Sequence, residues 1–372
     1  MGLLRYYSEA KSWSGTSQGD REFFDFVPRE GPNMGRVVID GFWVYASYDI
    51  TVATAVIQGE DLARVFGQII VEKRDGMKRW NLPGDATRIA TYAFLGADRF
   101  SESADVAVAS NNTGLYGLYV PMSKPLIHTP EDFALPADEF GKVVIRDVPP
   151  ADLDIGTSDA TIVSITYYVV VDAHEEFDLQ FHCDDVVKAD LFTSTSETVL
   201  QCGGKLQDLL IFARGASGGA SLANFTNVRI DEPRGLLQQS LRTELQREYR
   251  FKRRAVNNLN STMGGEVRAD PFANNQALAV LLHDERTSAW DGQFVDRLKL
   301  NMTNSVASCY AITRTHKPHS KDVIRDVAAA YGLAQAEQLG VKTKAKTKTS
   351  IMDWPPGLRP YLPLKAPLRR AA

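Results

Sequence analysis

Two parts of the chain, about 155 to 160 residues apart, carry the same order of short apolar segments and charged turns. Leu62–Phe66 leads into an apolar segment that ends in a charged turn, and Leu222–Thr226 does the same in the second half. Three further segments then follow in the same order in each half. They are Gly117–Pro121 with Leu278–Leu282, Lys142–Arg146 with Arg297–Asn301, and Val163–Val171 with Ser308–Thr315. A repeat of this length indicates two similar units of ordinary domain size.

The apolar segments themselves are typical of β-strands, because they are short and rich in β-branched and aromatic residues. Strands at such intervals, without regular helices between them, favour antiparallel sandwiches over a parallel α/β sheet. The predicted strands are Val37–Tyr48, Val65–Glu72, Leu115–Val120, Gly141–Arg146, Ile162–Asp172, Thr198–Cys202, Leu206–Ala213, Phe225–Ile230, Ala277–Leu282, Val295–Thr303 and Ala307–Thr315.

Two helices are also predicted. Apolar side chains four residues apart predict the first, on a stripe made of Leu237, Leu241, Leu245 and Tyr249. The second follows Ser320 as its N-cap and contains Val323, Val327 and Tyr331.

Charge is distributed unevenly along the chain. The net charge is −4 in total, but residues 341–372 contain eight basic residues and one acid. An acidic body with a basic tail predicts that the tail contacts a different partner from the body. Three cysteines, Cys183, Cys202 and Cys309, have neither zinc-site spacing nor the even number of a disulfide framework, so we expect reduced thiols.

The strongest enzyme signal is Gly215-Ala216-Ser217-Gly218-Gly219, which matches the G-x-S-x-G nucleophile elbow. That motif requires a helix directly after the serine, and Gly219-Ala220-Ser221 is a poor helix start. The chain also lacks the alternating strands and helices of an α/β-hydrolase. We therefore expect a loop at this position rather than a catalytic serine, and a hydrolase using Ser217 is a distant alternative.

The six histidines show no metal-site spacing. The nearest polar clusters are His174-Glu175-Glu176 and His182-Cys183-Asp184-Asp185, which we interpret as exposed residues between the two units. No phosphate-binding loop is present, because Gly203-Gly204-Lys205 lacks the earlier glycine and the following Ser or Thr. The sequence thus predicts no catalytic residue, no cofactor and no metal.

The tandem units resemble the double jelly-roll major capsid proteins of tailless icosahedral viruses, the tectivirus and corticovirus kind. The most similar stretch runs from Phe26-Val27-Pro28 through Gly41-Phe42 to Ile69-Ile70-Val71. The resemblance covers roughly residues 21 to 318 and lies in pattern and order, because the family has no short invariant motif. The C-terminal extension after Pro318 is longer and more basic than the family leads us to expect.

The resemblance implies an all-β fold of two tandem eight-stranded jelly-roll sandwiches with a few short helices. We expect an N-terminal arm at residues 1–20, jelly rolls at 21–175 and 176–318, and a helix with a basic, proline-rich arm at 319–372. It implies a non-enzymatic capsid protein, made in the host cytoplasm and located in the virion. Its homotrimer would form a pseudo-hexagonal capsomer that contacts neighbouring capsomers, penton proteins and minor capsid proteins.

The basic tail is the segment with the most specific predicted role. We hypothesise that it, and the short Leu3–Trp13 segment, lies on the inner face of the shell and contacts an internal membrane, the genome or other capsomers. The predicted contact residues are Lys342, Lys344, Lys346, Lys348, Trp354, Arg359, Tyr361, Lys365, Arg369 and Arg370. The main alternative for the whole chain is a β-sandwich binding module for carbohydrate or host attachment, which would expose an aromatic platform.

Overall fold

The structure, a computed structural model, describes sixteen parts of the chain. They are residues 3–13, 19–24, 27–52, 59–95, 111–122, 135–147, 154–155, 158–176, 183–192, 198–214, 227–232, 235–241, 243–245, 277–281, 293–302 and 308–318. Strands dominate these ranges.

The strands are numbered β1 to β18 in chain order. The first half contains β1 (Leu4–Tyr7), β2 (Lys11–Trp13), β3 (Asp20–Phe23), β4 (Arg36–Val52), β5 (Phe66–Lys73), β6 (Lys78–Leu82), β7 (Asn111–Pro121), β8 (Leu135–Pro136), β9 (Phe140–Asp147), β10 (Asp154–Ile155) and β11 (Ser158–Glu176). The second half contains β12 (Cys183–Phe192), β13 (Thr198–Arg214), β14 (Asn227–Glu232), β15 (Gly235–Leu241), β16 (Ala277–Leu281), β17 (Gln293–Met302) and β18 (Ser308–Pro318). A 3-10 helix spans Gly59–Val65, and helix α1 spans Gly84–Leu95.

The first half is a two-layer sandwich. One sheet has the strand order β1-β11-β4-β7. Strand β2 also pairs with β11, at residues that precede those paired with β1. The other has the order β3-β9-β5-β6. The chain alternates between the two sheets, which is the jelly-roll arrangement.

Period-two alternation along β4 explains why the two layers pack together. Phe42, Val44 and Ala46 are fully buried, whereas Trp43 and Tyr45 between them are partly exposed. The buried set faces the second sheet, where the rings of Phe42 and Phe140 lie 5.3 Å apart. The core of the first half therefore lies between its two sheets.

The second half repeats the strand order of the first. Its first sheet has the strand order β12-β18-β13-β16, which matches the order β1-β11-β4-β7 of the first half. Its second sheet has the strand order β13-β17-β14-β15, which matches the order β3-β9-β5-β6. The matched segments of the sequence repeat lie in or lead into equivalent strands, so the predicted all-β jelly-roll class is confirmed.

Strand β13 belongs to both sheets of the second half. The sequence predicts two strands, Thr198–Cys202 and Leu206–Ala213, but the structure has one long strand. Its first part pairs with β17 and its second part with β18, and the register shifts between Gln201 and Gly204. Such a bulge lets one strand bend from one sheet into the other.

The predicted helix of Leu237, Leu241, Leu245 and Tyr249 is wrong for its first half. Gly235–Leu241 is strand β15, which pairs with β14 from Asn227 to Glu232. Backbone pairing at the end of a sheet overrides the local spacing of these leucines. Residues 243–245 are helical, whereas Tyr249 and the helix predicted after Ser320 lie outside the described residues.

Several elements were not predicted, among them helix α1 and strands β1, β2, β3, β6 and β12. Helix α1 has Asp85 in its first turn and is buried along almost its whole length, with Ile89, Ala93 and Phe94 in the core. A helix that is buried on all sides has no one-sided apolar stripe for the sequence to reveal. Strands β1 and β2 lie in the segment assigned to an N-terminal arm, but both pair with β11. The limits of the four predicted parts, including the division at residue 175, stay predictions.

Candidate functional site

The outer surface of the first sheet carries five aromatic side chains, which we call the aromatic face. Strand pairing brings them together, because Tyr168 lies opposite Tyr45, and Val170 lies between Trp43 and Tyr7. On the other side of β4, Tyr119 lies opposite Trp43. The aromatic face consists of Tyr7, Trp43, Tyr45, Tyr119 and Tyr168.

Four of the five rings of the aromatic face, all except that of Tyr7, form a connected series of ring contacts. The centroids of Tyr45 and Tyr168 are 4.8 Å apart with an interplanar angle of 15°. Trp43 stacks on Tyr45 at 5.8 Å and contacts the Tyr119 ring at 5.2 Å. Cross-strand aromatic pairs of this kind stabilise a sheet, and they also form a flat, apolar surface with hydroxyl groups at its margin.

A carboxylate anchors one end of the stack. Asp172 accepts hydrogen bonds from Trp43 Nε1 at 3.1 Å and from Arg5 Nε at 2.9 Å. The hydrogen bond to Asp172, together with its charge, raises the pKa of Arg5 above its usual value. Burial raises the pKa of Tyr45 and of Tyr168, so both phenols are neutral over the physiological pH range.

Gly41 makes room for the Tyr119 ring. A side-chain Cβ at position 41 would collide with the phenol ring and hydroxyl of Tyr119. An aromatic ring that covers a cross-strand glycine is a recognised way to shield the backbone of a sheet. The rings of Trp43, Tyr45, Tyr119 and Tyr168 are therefore positioned by one another.

A second cluster joins the two halves of the molecule, and we call it the joint. Strand β6 pairs in parallel with β12, with Trp80 beside Val187. Arg79 is 1 % exposed, and its Nε donates a hydrogen bond to the backbone oxygen of Asp185 at 2.8 Å. Helix α1, which follows β6, lies against β18. The joint consists of β6 and α1 from the first half and β12, β18 and β13 from the second.

Buried charges lie at the centre of the joint. The guanidinium of Arg314 bonds the carboxylate of Asp185, and its Nη1 lies 3.7 Å from Asp208 Oδ2. The same guanidinium lies over the Phe94 ring of α1 at 4.8 Å from the centroid. On the other side, Phe94 makes an edge contact with Trp80 at 6.2 Å. This row of contacts connects the first half to the second through buried groups.

The sequence interpretation placed two polar clusters, at residues 174–176 and 182–185, in an exposed segment between the two units. The described residues of both clusters belong to strands, the first to β11 and the second to β12. His174 in β11 lies with Nδ1 2.9 Å from Asp40 Oδ2. Glu175 is 7 % exposed and accepts hydrogen bonds from the backbone nitrogens of Asn33 and Gly35. Together with the buried Asp185, these contacts show that the exposed interpretation was wrong.

The predicted tail contacts cannot be placed, because residues 319–372 lie outside the described residues, as does Ser217. Among the residues that the structure does describe, no group of three His, Cys, Asp or Glu side chains is arranged to hold a metal ion. No helix in those same ranges has the length and apolar character needed to cross a membrane.

Sequence comparison finds no relative for this chain. No protein family model matches it, and no curated protein matches it.

Comparison with solved structures, in contrast, finds clear similarity. One match is the crystal structure of the major capsid protein of Sulfolobus Turreted Icosahedral Virus (STIV), which is 10 % identical in sequence to this chain. The TM-score is 0.57, and the match covers 87 % of this chain and 98 % of the capsid protein. The chain shares its fold with this capsid protein. A chain from the atomic structure of STIV itself is also 10 % identical, with a TM-score of 0.59 over 91 % of this chain and 95 % of that one.

The major capsid protein P2 of bacteriophage PM2 matches at 9 % identity, with a TM-score of 0.48 over 86 % of this chain and 99 % of that one. The fold assignment depends on the two STIV structures. Their near-complete coverage means that both halves of this chain, in this order, have counterparts in one capsid subunit.

Proposed function

We propose that this protein is a structural capsid protein whose copies build the shell of an icosahedral virion. The observation that supports this proposal is a jelly-roll strand order that occurs twice in a chain sharing the fold of the STIV major capsid protein. Two similar units per chain give three copies six similar sides, and cyclic symmetry can then close a ring. A ring of that shape tiles a closed shell.

The chemistry of the described residues is in keeping with a structural role. The buried ion pairs of Arg314 with Asp185 and Asp208 lie where the two halves of the molecule meet. Glu175 orders the turn at Asn33. Each of these groups has a structural partner, and we assign no catalytic role to any of them.

The oligomeric state tests the proposal. We expect sedimentation equilibrium of the purified full chain to give three times the chain mass of 41.1 kDa, with no change on tenfold dilution. Three copies are expected because six similar units close a pseudo-hexagon. A monomer at all concentrations would contradict the capsid proposal.

The aromatic face favours a second candidate function, a carbohydrate-binding module. Stacked tyrosine and tryptophan rings on a sheet, with Asp172 and Arg5 beside them, form the kind of surface on which sugar rings stack. This candidate predicts a monomer that is retained on immobilised polysaccharide. A trimer without such retention excludes it.

We also propose that the basic tail acts in shell assembly, at the inner face of the capsid, through residues Lys342 to Arg370. Deleting residues 341–372 is expected to leave the oligomer intact and to reduce the yield of assembled particles, because basic residues gain about 1 kcal/mol each near an anionic surface. Particle yield would be measured by sucrose-gradient centrifugation after co-expression with the other virion proteins.

A matched variant separates the charge of the tail from its length. Changing Lys342, Lys344, Lys346 and Lys348 to glutamine keeps every residue of the tail but removes four charges. We expect it to lose part of the particle yield that the deletion loses. A normal yield from the deletion variant would overturn this role of the tail.

A further inference from the structure

Tyr45 and Tyr168 lie side by side on the outer surface of the first sheet. They are direct partners in the register of β4 with β11, and such partners have their Cβ atoms about 4.5–5.5 Å apart. The two rings are stacked, with their centroids 4.8 Å apart and an interplanar angle of 15°. Pairing of the two strands therefore holds two phenol rings against each other.

Neighbouring side chains hold Tyr45 in this position. Trp43 stacks on Tyr45 at a centroid distance of 5.8 Å, and the ring of Tyr119 on β7 contacts Trp43 in turn at 5.2 Å. The indole nitrogen of Trp43 donates a hydrogen bond to Asp172, which fixes the Trp43 ring. Because Trp43 occupies the space along β4, the Tyr45 ring stays against Tyr168 across the strands.

Both phenols are accessible to water. Tyr45 and Tyr168 are partly exposed, whereas Tyr167, the residue before Tyr168, is fully buried and donates its hydroxyl hydrogen to the backbone oxygen of Val65. A small oxidant in solution can therefore take an electron from the outer pair, and water can accept the proton that each phenol then releases. Tyr167 has neither kind of access.

We propose that Tyr45 and Tyr168 form an oxidative modification site, at which a small one-electron oxidant joins the two side chains as dityrosine. The oxidants of this class include the radicals that form from peroxides. The bond ties β4 to β11 within one chain, so the site goes beyond the capsid proposal and does not depend on how many copies associate.

The cross-link is an oxidation that removes two electrons in total. Each phenol gives one electron to the oxidant and its hydroxyl proton to water, which leaves two phenoxyl radicals. The ring carbons next to the two oxygens then join in one C–C bond, and each passes its hydrogen to its own oxygen, which restores both phenols. Two C–H bonds break, one C–C bond forms, and two molecules of the one-electron oxidant are reduced.

The bond closes the long stretch of chain between β4 and β11. A covalent link across a long loop removes conformational freedom from the unfolded chain, as a disulfide does. Oxidised wild-type chain is therefore expected to unfold at a higher urea concentration than Tyr168→Phe chain that has been oxidised in the same way. Circular dichroism measures both midpoints, and equal midpoints despite a cross-link in the wild type would contradict a bond that ties the two strands.

Photo-oxidation of the purified full chain, followed by peptide mass spectrometry, tests the site. Tris(bipyridyl)ruthenium with persulfate under visible light supplies the one-electron oxidant. Tyr45 and Tyr168 lie in two separate tryptic peptides, residues 37–64 and 147–188. In material that still runs as a single chain on a reducing gel, we expect these peptides to be joined at Tyr45 and Tyr168, with the loss of two hydrogen atoms.

Phenylalanine variants show whether the geometry of the pair decides the reaction. Tyr45→Phe and Tyr168→Phe keep both rings but remove one phenol, so each is expected to lose the cross-linked peptide. Tyr7→Phe is the matched control, because Tyr7 is 69 % exposed but lies outside the connected series of ring contacts. It is expected to give the wild-type yield of cross-linked peptide.

The same treatment of the urea-unfolded wild-type chain separates strand pairing from chance encounter. Because strand pairing is what brings Tyr45 to Tyr168, we expect the link between them to be lost in urea. Cross-links spread over other exposed tyrosines of the folded chain, or an undiminished link between Tyr45 and Tyr168 in the unfolded chain, would overturn the inference. If a phenylalanine variant does not fold, as judged by circular dichroism, the comparison of folded with unfolded wild type decides the question.

Discussion

Replacing Arg314 with methionine lowers the free energy of unfolding by about 3–5 kcal/mol, because it leaves two buried carboxylates without their cation. Arg314 is 3 % exposed, and Asp185 and Asp208 are 8 % and 5 % exposed. Methionine matches the length of arginine closely enough to fill much of the same space. The loss therefore comes mainly from the uncompensated charges. Urea unfolding followed by circular dichroism, at one fixed protein concentration, measures it.

The matched control is an arginine in an exposed ion pair. Arg146 pairs with Asp20 at 2.8 Å, and both side chains are more than 40 % exposed. Arg146→Met is expected to lose less than about 1 kcal/mol, because exposed ion pairs contribute little. An Arg314→Met chain as stable as the Arg146→Met chain would show that the charges at the joint are accessible to water.

Replacing Trp80 with alanine is expected to cost about 3–5 kcal/mol, the loss typical of removing a buried aromatic side chain. Trp80 is 1 % exposed, and its Nε1 donates a hydrogen bond to Thr87 Oγ1 at 3.2 Å. The substitution leaves a cavity between β6, α1 and β12, and the Phe94 ring loses its edge contact. The measurement is urea unfolding by far-UV circular dichroism, which does not depend on tryptophan fluorescence.

A graded variant separates the apolar contribution of Trp80 from its hydrogen bond. Trp80→Phe keeps a ring against Phe94 but removes the indole donor, so we expect it to lose less than half as much as Trp80→Ala. A loss below about 1 kcal/mol for Trp80→Ala would contradict the view that the two halves are joined through this residue.

Much of the fold was predictable from the sequence, for a physical reason. In β4, β7 and β11, one side of the strand faces the core and the other does not, so apolar residues recur at alternate positions. The order of the strands was preserved in the repeat, because each unit needs the same connections to cover its own core.

Contacts between distant residues were not predictable in the same way. Tyr45 and Tyr168 lie on strands that pair only in the folded chain, so no local pattern indicates their stacking. Asp185 and Arg314 likewise form their ion pair across β12 and β18. In β15 the local pattern was misleading, because leucines at helical spacing lie in a strand that β14 holds in the sheet.

Electron micrographs of the purified protein, averaged without imposed symmetry, test this account most directly. The account predicts a closed ring of three chains with six similar lobes. Particles with one or two chains, or trimers whose lobes do not form a pseudo-hexagon, would contradict it.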